Sequence, residues 1–385
     1  MKKYGFIALL LVCTACVAAQ DRSPVEVTVL PRQPFIERRD CLQLLNFDLA
    51  VKNAGKDRLR LSEIELSVYD SNNHLAVRKT VNSDGLKPGI EVVAPPMLTP
   101  GETIDIFNPF FWFDSDVPLN RLDYAIRYLR ENSAADAEQN QHRLPIDYDV
   151  EAKVSVRPQA YVDKTDLFLP LQGRLLVWEG HDFYAHHRRI PVNAPQVRSI
   201  GLKKNSNRYG MDLILIDNDG RAWRNTPYKK ENWLSYGTPI YAPGAGKVVA
   251  MANDVPENYY ENKRLVHPKI SDPTQALIGN YVVIDHGDGE YSFLVHMMPG
   301  SVLVKPGDAV QEGQMVGKIG FAGDAIFPHL HYSLVGGPNI YDTEALPVYF
   351  HQFNRLLGAT VVAEKIGQID SGDIVESALP YLAKP

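Results

Sequence analysis

Cysteine is scarce in this 385-residue chain, with three residues at positions 13, 16 and 41. Two of them fall within the first sixteen residues, so the remainder carries one thiol and no disulfide framework. Cys41 sits in an apolar run, Cys41-Leu42-Gln43-Leu44-Leu45, and reads as a buried structural thiol rather than a nucleophile. Long hydrophobic runs are also missing. Beyond the N-terminus no stretch is apolar enough to form a transmembrane helix. Basic charge is not in excess either: the formal net charge is −6. That gives no reason to expect nucleic acid or an anionic membrane surface as the main partner. Internal repeats and low-complexity tracts are absent.

What is present is globular. Hydrophobic residues make up 45% and charged residues 22% of the chain, which excludes disordered and fibrous classes. The length exceeds one ordinary core and predicts two domains. The chain starts Met1-Lys2-Lys3-Tyr4, continues with an apolar run from Gly5 to Val12, and reaches small residues through Ala19. That is the pattern of a secretory signal peptide over residues 1–19, and it places the protein in the periplasm or cell envelope. Two cleavage readings stand. Val17-Ala18-Ala19 fits a cut before Gln20. Thr14-Ala15-Cys16 resembles a lipoprotein box, which would leave a lipid anchor on Cys16, although Cys13 stands where such a box normally has Leu.

Residues 24–156 read as an all-β module. Leu45 to Ala54 and Ile64 to Asp70 alternate apolar and polar side chains, and Leu98 to Phe107 and Arg121 to Leu129 add further strands. Short alternating strands with Pro/Gly turns predict an immunoglobulin-like sandwich. The aromatic run Phe107-Asn108-Pro109-Phe110-Phe111-Trp112-Phe113 reads as core or inter-domain packing. Arg130 to His142 is charged and rich in Ala, Asn and Gln, and reads as a surface loop.

The C-terminal half carries the chemistry. Gly279 to His296 reads as a hairpin, with two strand-forming runs around an Asp/Gly turn. Val304 to Gly320 alternates short strands with Gly turns. Phe327-Pro328-His329-Leu330-His331-Tyr332-Ser333-Leu334 puts two histidines at i and i+2 of a strand, on one face and about 7 Å apart. Such a pair can share a metal site, or divide into ligand and catalyst. Upstream, Leu175 to Arg189 contains His181, His186 and His187, three of only 11 histidines. His286, His267 and His351 read as structural, and Asp217-Asn218-Asp219-Gly220 reads as a turn.

These motifs, taken together and in order, resemble the M23 metallopeptidases, the LytM or lysostaphin-type endopeptidases. The carriers are Arg208-Tyr209-Gly210-Met211-Asp212, Leu294-Val295-His296 and His329-Leu330-His331, with Gly237 to Val249 and Lys305 to Gly320 matching between them. The resemblance covers about residues 205–336. It implies an antiparallel β peptidase domain over 170–340, followed by a C-terminal extension, 341–385, packed on it. It further implies Zn2+ as cofactor, Asp212 and His331 as metal ligands, His296 and His329 as catalytic residues, and peptidoglycan stem peptides as substrate. One position departs. Arg208 stands where the family has its first histidine ligand, and arginine has no lone pair to donate to a metal. The substitute ligand is expected from His187 or His186, with Asn207 or water as weaker alternatives. Two functions follow from the resemblance: an exported zinc endopeptidase cutting peptidoglycan cross-links, or a catalytically degenerate M23-like module that binds or activates another cell-wall hydrolase, an envelope protein being the further partner expected.

Overall fold

The computed structural model describes residues 23–39, 41–144 and 146–377. The expected signal peptide and Cys16 lie outside these residues. The regular structure of the described residues is mostly β-strand, with three short α-helices. No helix among the described residues is long and apolar enough to cross a membrane.

Residues 25–156 form an N-terminal module. Its Asp48–Asn53 strand lies between Val25–Leu30 and Thr103–Phe107. A second sheet places Arg121–Arg130 between Val150–Val156 and Leu59–Tyr69. Alternation sets the burial: Leu49 and Val51 are inside while Ala50 and Lys52 turn outward. With Phe47, Leu66, Ile106, Tyr124 and Ile126 they form one core. Each such side chain contributes about 1.5–3 kcal/mol through burial. Within the aromatic run, Phe107, Phe110 and Phe113 are buried and Trp112 is exposed.

Two expectations are corrected here. Cys41 is exposed. It precedes the Leu42–Leu45 strand rather than lying in it, and the inward position goes to Gln43, whose amide donates to the Asp114 and Val117 carbonyls. Arg130 to His142 is not a loop throughout. Arg130 ends a strand, and Ala134–Asn140 is helical. Ser133 and Asp136 form a reciprocal capping box at its start, a signal that Ser133-Ala134-Ala135-Asp136 already carried.

The C-terminal half is organised by a ten-stranded antiparallel sheet. Across it run Ala309–Val310, Gly246–Ala252, Asn280–Gly287, Glu290–Met297, Leu330–Val335, Met211–Leu215, Arg174–Glu179, Ile374–Ser377, Phe350–Leu357 and Thr360–Gly367. The last three strands come from the segment read as an extension, and they continue the sheet itself. Its core holds Val177, Leu213, Val282, Leu294, Leu330, Tyr332 and Phe353.

Candidate metal centre

The site lies where three neighbouring strands of that sheet meet. Asp212 pairs directly with His331 across the Met211–Leu215 and Leu330–Val335 strands. His331 is in turn opposite Val295, which puts His296 beside it. Cross-strand partners have Cβ atoms about 4.5–5.5 Å apart, so the register alone gathers Asp212, His331 and His296. Gly210 lets the preceding turn approach closely. A Cβ there would lie 2.9 Å from Ser333 Oγ and 3.0 Å from His331 Cε1.

Asp212 is the hub. Its Oδ1 lies 2.9 Å from His331 Nδ1, 3.3 Å from His329 Nε2 and 3.5 Å from His187 Nε2. Burial disfavours its charge, but His329, His187 and hydrogen bonds from His329 and His331 outweigh burial and hold it well below the usual carboxylate range. His331 presents Nε2 to Ser333 Oγ at 2.9 Å. His329 Nδ1 donates to the Phe327 carbonyl, and His296 Nδ1 donates to the Ala322 carbonyl, each at 2.8 Å. Carbonyls only accept, so both rings donate from Nδ1. Neutral His296 then keeps a lone pair on Nε2, while His329 Nε2 faces the Asp212 carboxylate. His296 Nε2 is 3.7 Å from Asp324 Oδ1. The His296 and His329 ring centroids are 4.8 Å apart. Burial, with the neighbouring His329 and His331, pushes His296 well below the ordinary histidine value. Burial also opposes charge on His329, but the Asp212 carboxylate outweighs it and raises that group. His296 has φ of +65°, a strained conformation for a residue with a Cβ.

His187 reaches the same hub from a different element. It sits in the 180–194 loop, 3% exposed, with its ring centroid 4.7 Å from that of His331. Its Nδ1 is buried without a hydrogen-bond partner. Burial is the main cause that pushes its pKa down to about 3, so the ring is neutral and has a lone pair to give. Among the described residues, His186, His187 and Asp212 can each offer one ligand atom with all three within 4.8 Å of one another. His186 lies at the rim, exposed, with Nδ1 on Glu179. A bulge brings Glu179 opposite Asp212, and bulges re-aim side chains at sites of this kind. Asn207 lines the cleft as well.

Arg208 is turned away. Its guanidinium is 1% exposed and donates to Asp48 Oδ2 of the N-terminal module at 2.6 Å, with Glu344 Oε2 at 3.5 Å from Nε. Burial opposes that charge, but the two carboxylates outweigh it and raise the arginine further. The remaining histidines fall elsewhere. His181 is buried against Glu37 of the N-terminal module at 3.2 Å. His286 is held by the Ala245 carbonyl and Ser292 Oγ, and His267 contacts Asn258 and the Gly323 carbonyl. His351 lies beside Asp163 and Asp166. Asp217 Oδ1 accepts from the backbone of Asp219 and Arg221, a local turn.

Sequence reasoning missed Ser333, Asp324 and Asp48. Ser333 was findable, since it shares the strand face of His331 two residues on. Nothing local connects Asp48 to residue 208. The histidines open onto a cleft of about 370 Å³ whose wall includes Trp178, Ile200, Ile326 and Phe327.

The donor set suits zinc. One carboxylate and two imidazoles converge, and a catalytic site needs three protein ligands and an open position. A ligand nitrogen at His331 Nδ1 would require the ring proton on Nε2, where Ser333 Oγ can accept it.

Comparison with known proteins gives matches in the same region. Residues 233–342 match the profile of peptidase family M23. The chain is 36% identical over 102 residues to peptidoglycan DD-endopeptidase ShyA of Vibrio cholerae serotype O1, covering 26% of this chain and 18% of that protein. It is 29% identical over 99 residues to peptidoglycan DD-endopeptidase ShyB of the same organism, with the same shares. The match thus spans under one fifth of either relative. Among solved structures, a putative peptidase M23 from Pseudomonas aeruginosa aligns at TM-score 0.25 and 19% identity, covering 58% of this chain and 74% of that one. The catalytic domain of lysostaphin from Staphylococcus simulans aligns at TM-score 0.24 and 16% identity, covering 45% and 88%. The family match begins downstream of His187 and Asp212, so it includes His296, His329 and His331 and is silent on the other two.

Proposed function

Residues 233–342 are a domain of peptidase family M23, and from that premise we propose that the chain is an exported zinc endopeptidase that hydrolyses peptide cross-links of peptidoglycan. The observation that carries the reading is the convergence of His187, His329 and His331 on Asp212 Oδ1 within 3.5 Å. Asp212, His331 and His187 would hold the metal. When bound, zinc supplies Lewis acidity for the scissile carbonyl and brings the pKa of water to about 7. His296, neutral and with Nε2 free, would take the proton of the attacking water and return it to the leaving amine as the C–N bond breaks. His329, whose charge Asp212 favours, steadies the developing oxyanion through Nε2–H. The Ala322 and Phe327 carbonyls fix both rings in the orientation these roles need.

The reading of a non-catalytic, partner-binding module draws its support from Arg208. The buried pair with Asp48 gives that arginine a reason to be there which is unrelated to loss of catalysis. Zinc analysis of the purified protein, with hydrolysis of purified peptidoglycan, separates the two. One zinc per chain with cleavage products lost in His329→Ala is expected. Zinc-loaded protein inert on every peptidoglycan type would favour the partner-binding reading. Mass spectrometry of the mature N-terminus tests export, and a lipid mass on Cys16 would identify an anchored form.

A further inference from the structure

The loop that carries His187 is fastened to the other module on both sides of the histidine. Four residues before it, Phe183 is buried in the N-terminal module's own core and stacks on Phe111 with ring centroids 4.6 Å apart. Two residues after it, Arg189 Nη2 donates to the Val92 carbonyl. Six residues after it, the Asn193 backbone N–H donates to Asp105 Oδ2 at 2.8 Å, and its side-chain amide donates to Asp105 Oδ1 at 2.5 Å. Asp105 is 5% exposed and lies on the strand next to that of Asp48, the residue that holds Arg208. From the peptidase side the loop receives the Asn205 amide on the His187 and Arg188 carbonyls, at 3.0 and 3.2 Å. An irregular loop loses conformational entropy when it is ordered, and contacts must offset that loss. Here a large share of them come from the N-terminal module.

We infer that the N-terminal module is a working part of the metal centre, and that Asp105 is a positioning residue that acts through Asn193 to keep His187 at Asp212. This rests on the reading of His187 as the third ligand. The module is therefore more than an attached binding domain: it completes a coordination sphere that the peptidase sheet leaves one ligand short.

The test is zinc affinity of the full chain, measured by chelator competition for the parent, Asp105→Ala, His187→Ala and the double variant. Asp105→Ala should weaken zinc binding by about 10–100-fold, the range for groups that orient a ligand from outside the coordination sphere. His187→Ala should weaken it at least as much, and the double variant should match His187→Ala. Parent-like binding by Asp105→Ala, with binding lost in His187→Ala, overturns the inference and leaves the ligand reading intact. An equal further loss from Asp105→Ala in the His187→Ala background also overturns it, because the effect would then not run through His187. Parent-like binding by His187→Ala removes the ligand reading and the inference together. If Asp105→Ala does not fold, Asp105→Asn, which keeps one acceptor oxygen, carries the test. It should show a smaller loss, and parent-like binding by that variant overturns the inference.

Discussion

The candidate site has a strand-borne half and a loop-borne half, and they are held by different physics. Asp212, His296 and His331 stand on adjacent strands, with His329 just before one of them, and backbone register sets their spacing. His187 stands on an irregular loop whose place depends on Phe183, Arg189 and Asn193 gripping a separate module. Register is local and survives most side-chain changes. A loop fastened by a few distant contacts moves when one of them is lost. On the proposed function, the catalytic groups belong to the robust half and the substitute metal ligand to the fragile one.

The strand-borne half should give the largest effect. His329→Ala should lower peptidoglycan hydrolysis by about 10²–10⁴-fold, with zinc content and thermal stability close to the parent. A variant that loses zinc together with activity would break the separation between catalyst and ligand.

Arg208 comes next. Arg208→Ala leaves Asp48 buried without its 2.6 Å partner, and removing one member of a buried pair costs about 3–5 kcal/mol. Denaturant titration should show that loss, and Asp48→Ala in the same chain should recover part of it. Arg208→His restores the family's residue type. It should still be less stable than the parent, since the position faces Asp48.

The loop-borne half should show itself in metal-linked stability. Zinc at about 100 times its dissociation constant raises unfolding free energy by about 2.7 kcal/mol, and a chelator should remove that increment. In His187→Ala the increment should shrink by about 1.4 kcal/mol for each tenfold loss in affinity, read as a smaller zinc-induced rise in melting temperature. An undiminished rise would show that the sheet binds the metal unaided.

The smallest effect concerns pH. Burial disfavours protonation of His181, but Glu37 and Asp370 outweigh burial and raise its pKa above the ordinary value. A raised folded-state value means the stabilisation is fully present below the unfolded value of about 6.5. It is lost as pH rises through the folded value. Melting temperature should therefore fall on the alkaline side of about pH 6.5, and His181→Asn should flatten that slope. A parent with no slope there would remove His181 from the inter-module account.

The same division explains what could be read beforehand. His-Leu-His and the Val295-His296 strand end follow from period-2 alternation, and the Asp212 strand precedes them in the expected order. The all-β character was equally legible in the turn spacing. Position 208 departed from the expected ligand, and the upstream His-His pair, from which a substitute was expected, places His187 beside Asp212. The choice between its two members rests on burial: His187 is inside and His186 is on the rim. Arg208's reason lay 160 residues away in Asp48, and no local pattern encodes a contact at that separation. Cys41 was misplaced for a related reason. An apolar neighbourhood in sequence does not say where a strand begins.

The Arg174–Glu179 strand is flanked by the Asp212 strand on one side and by Ile374–Ser377 on the other. Synthesis runs in one direction, so this strand emerges some two hundred residues before its outer neighbour, with Arg174 waiting for Glu376. Until then it offers a row of unsatisfied amides and carbonyls to any passing strand. Proteolytic clipping beyond residue 373 would recreate that condition in the finished protein, and would turn an internal seam of the sheet into a template for self-association.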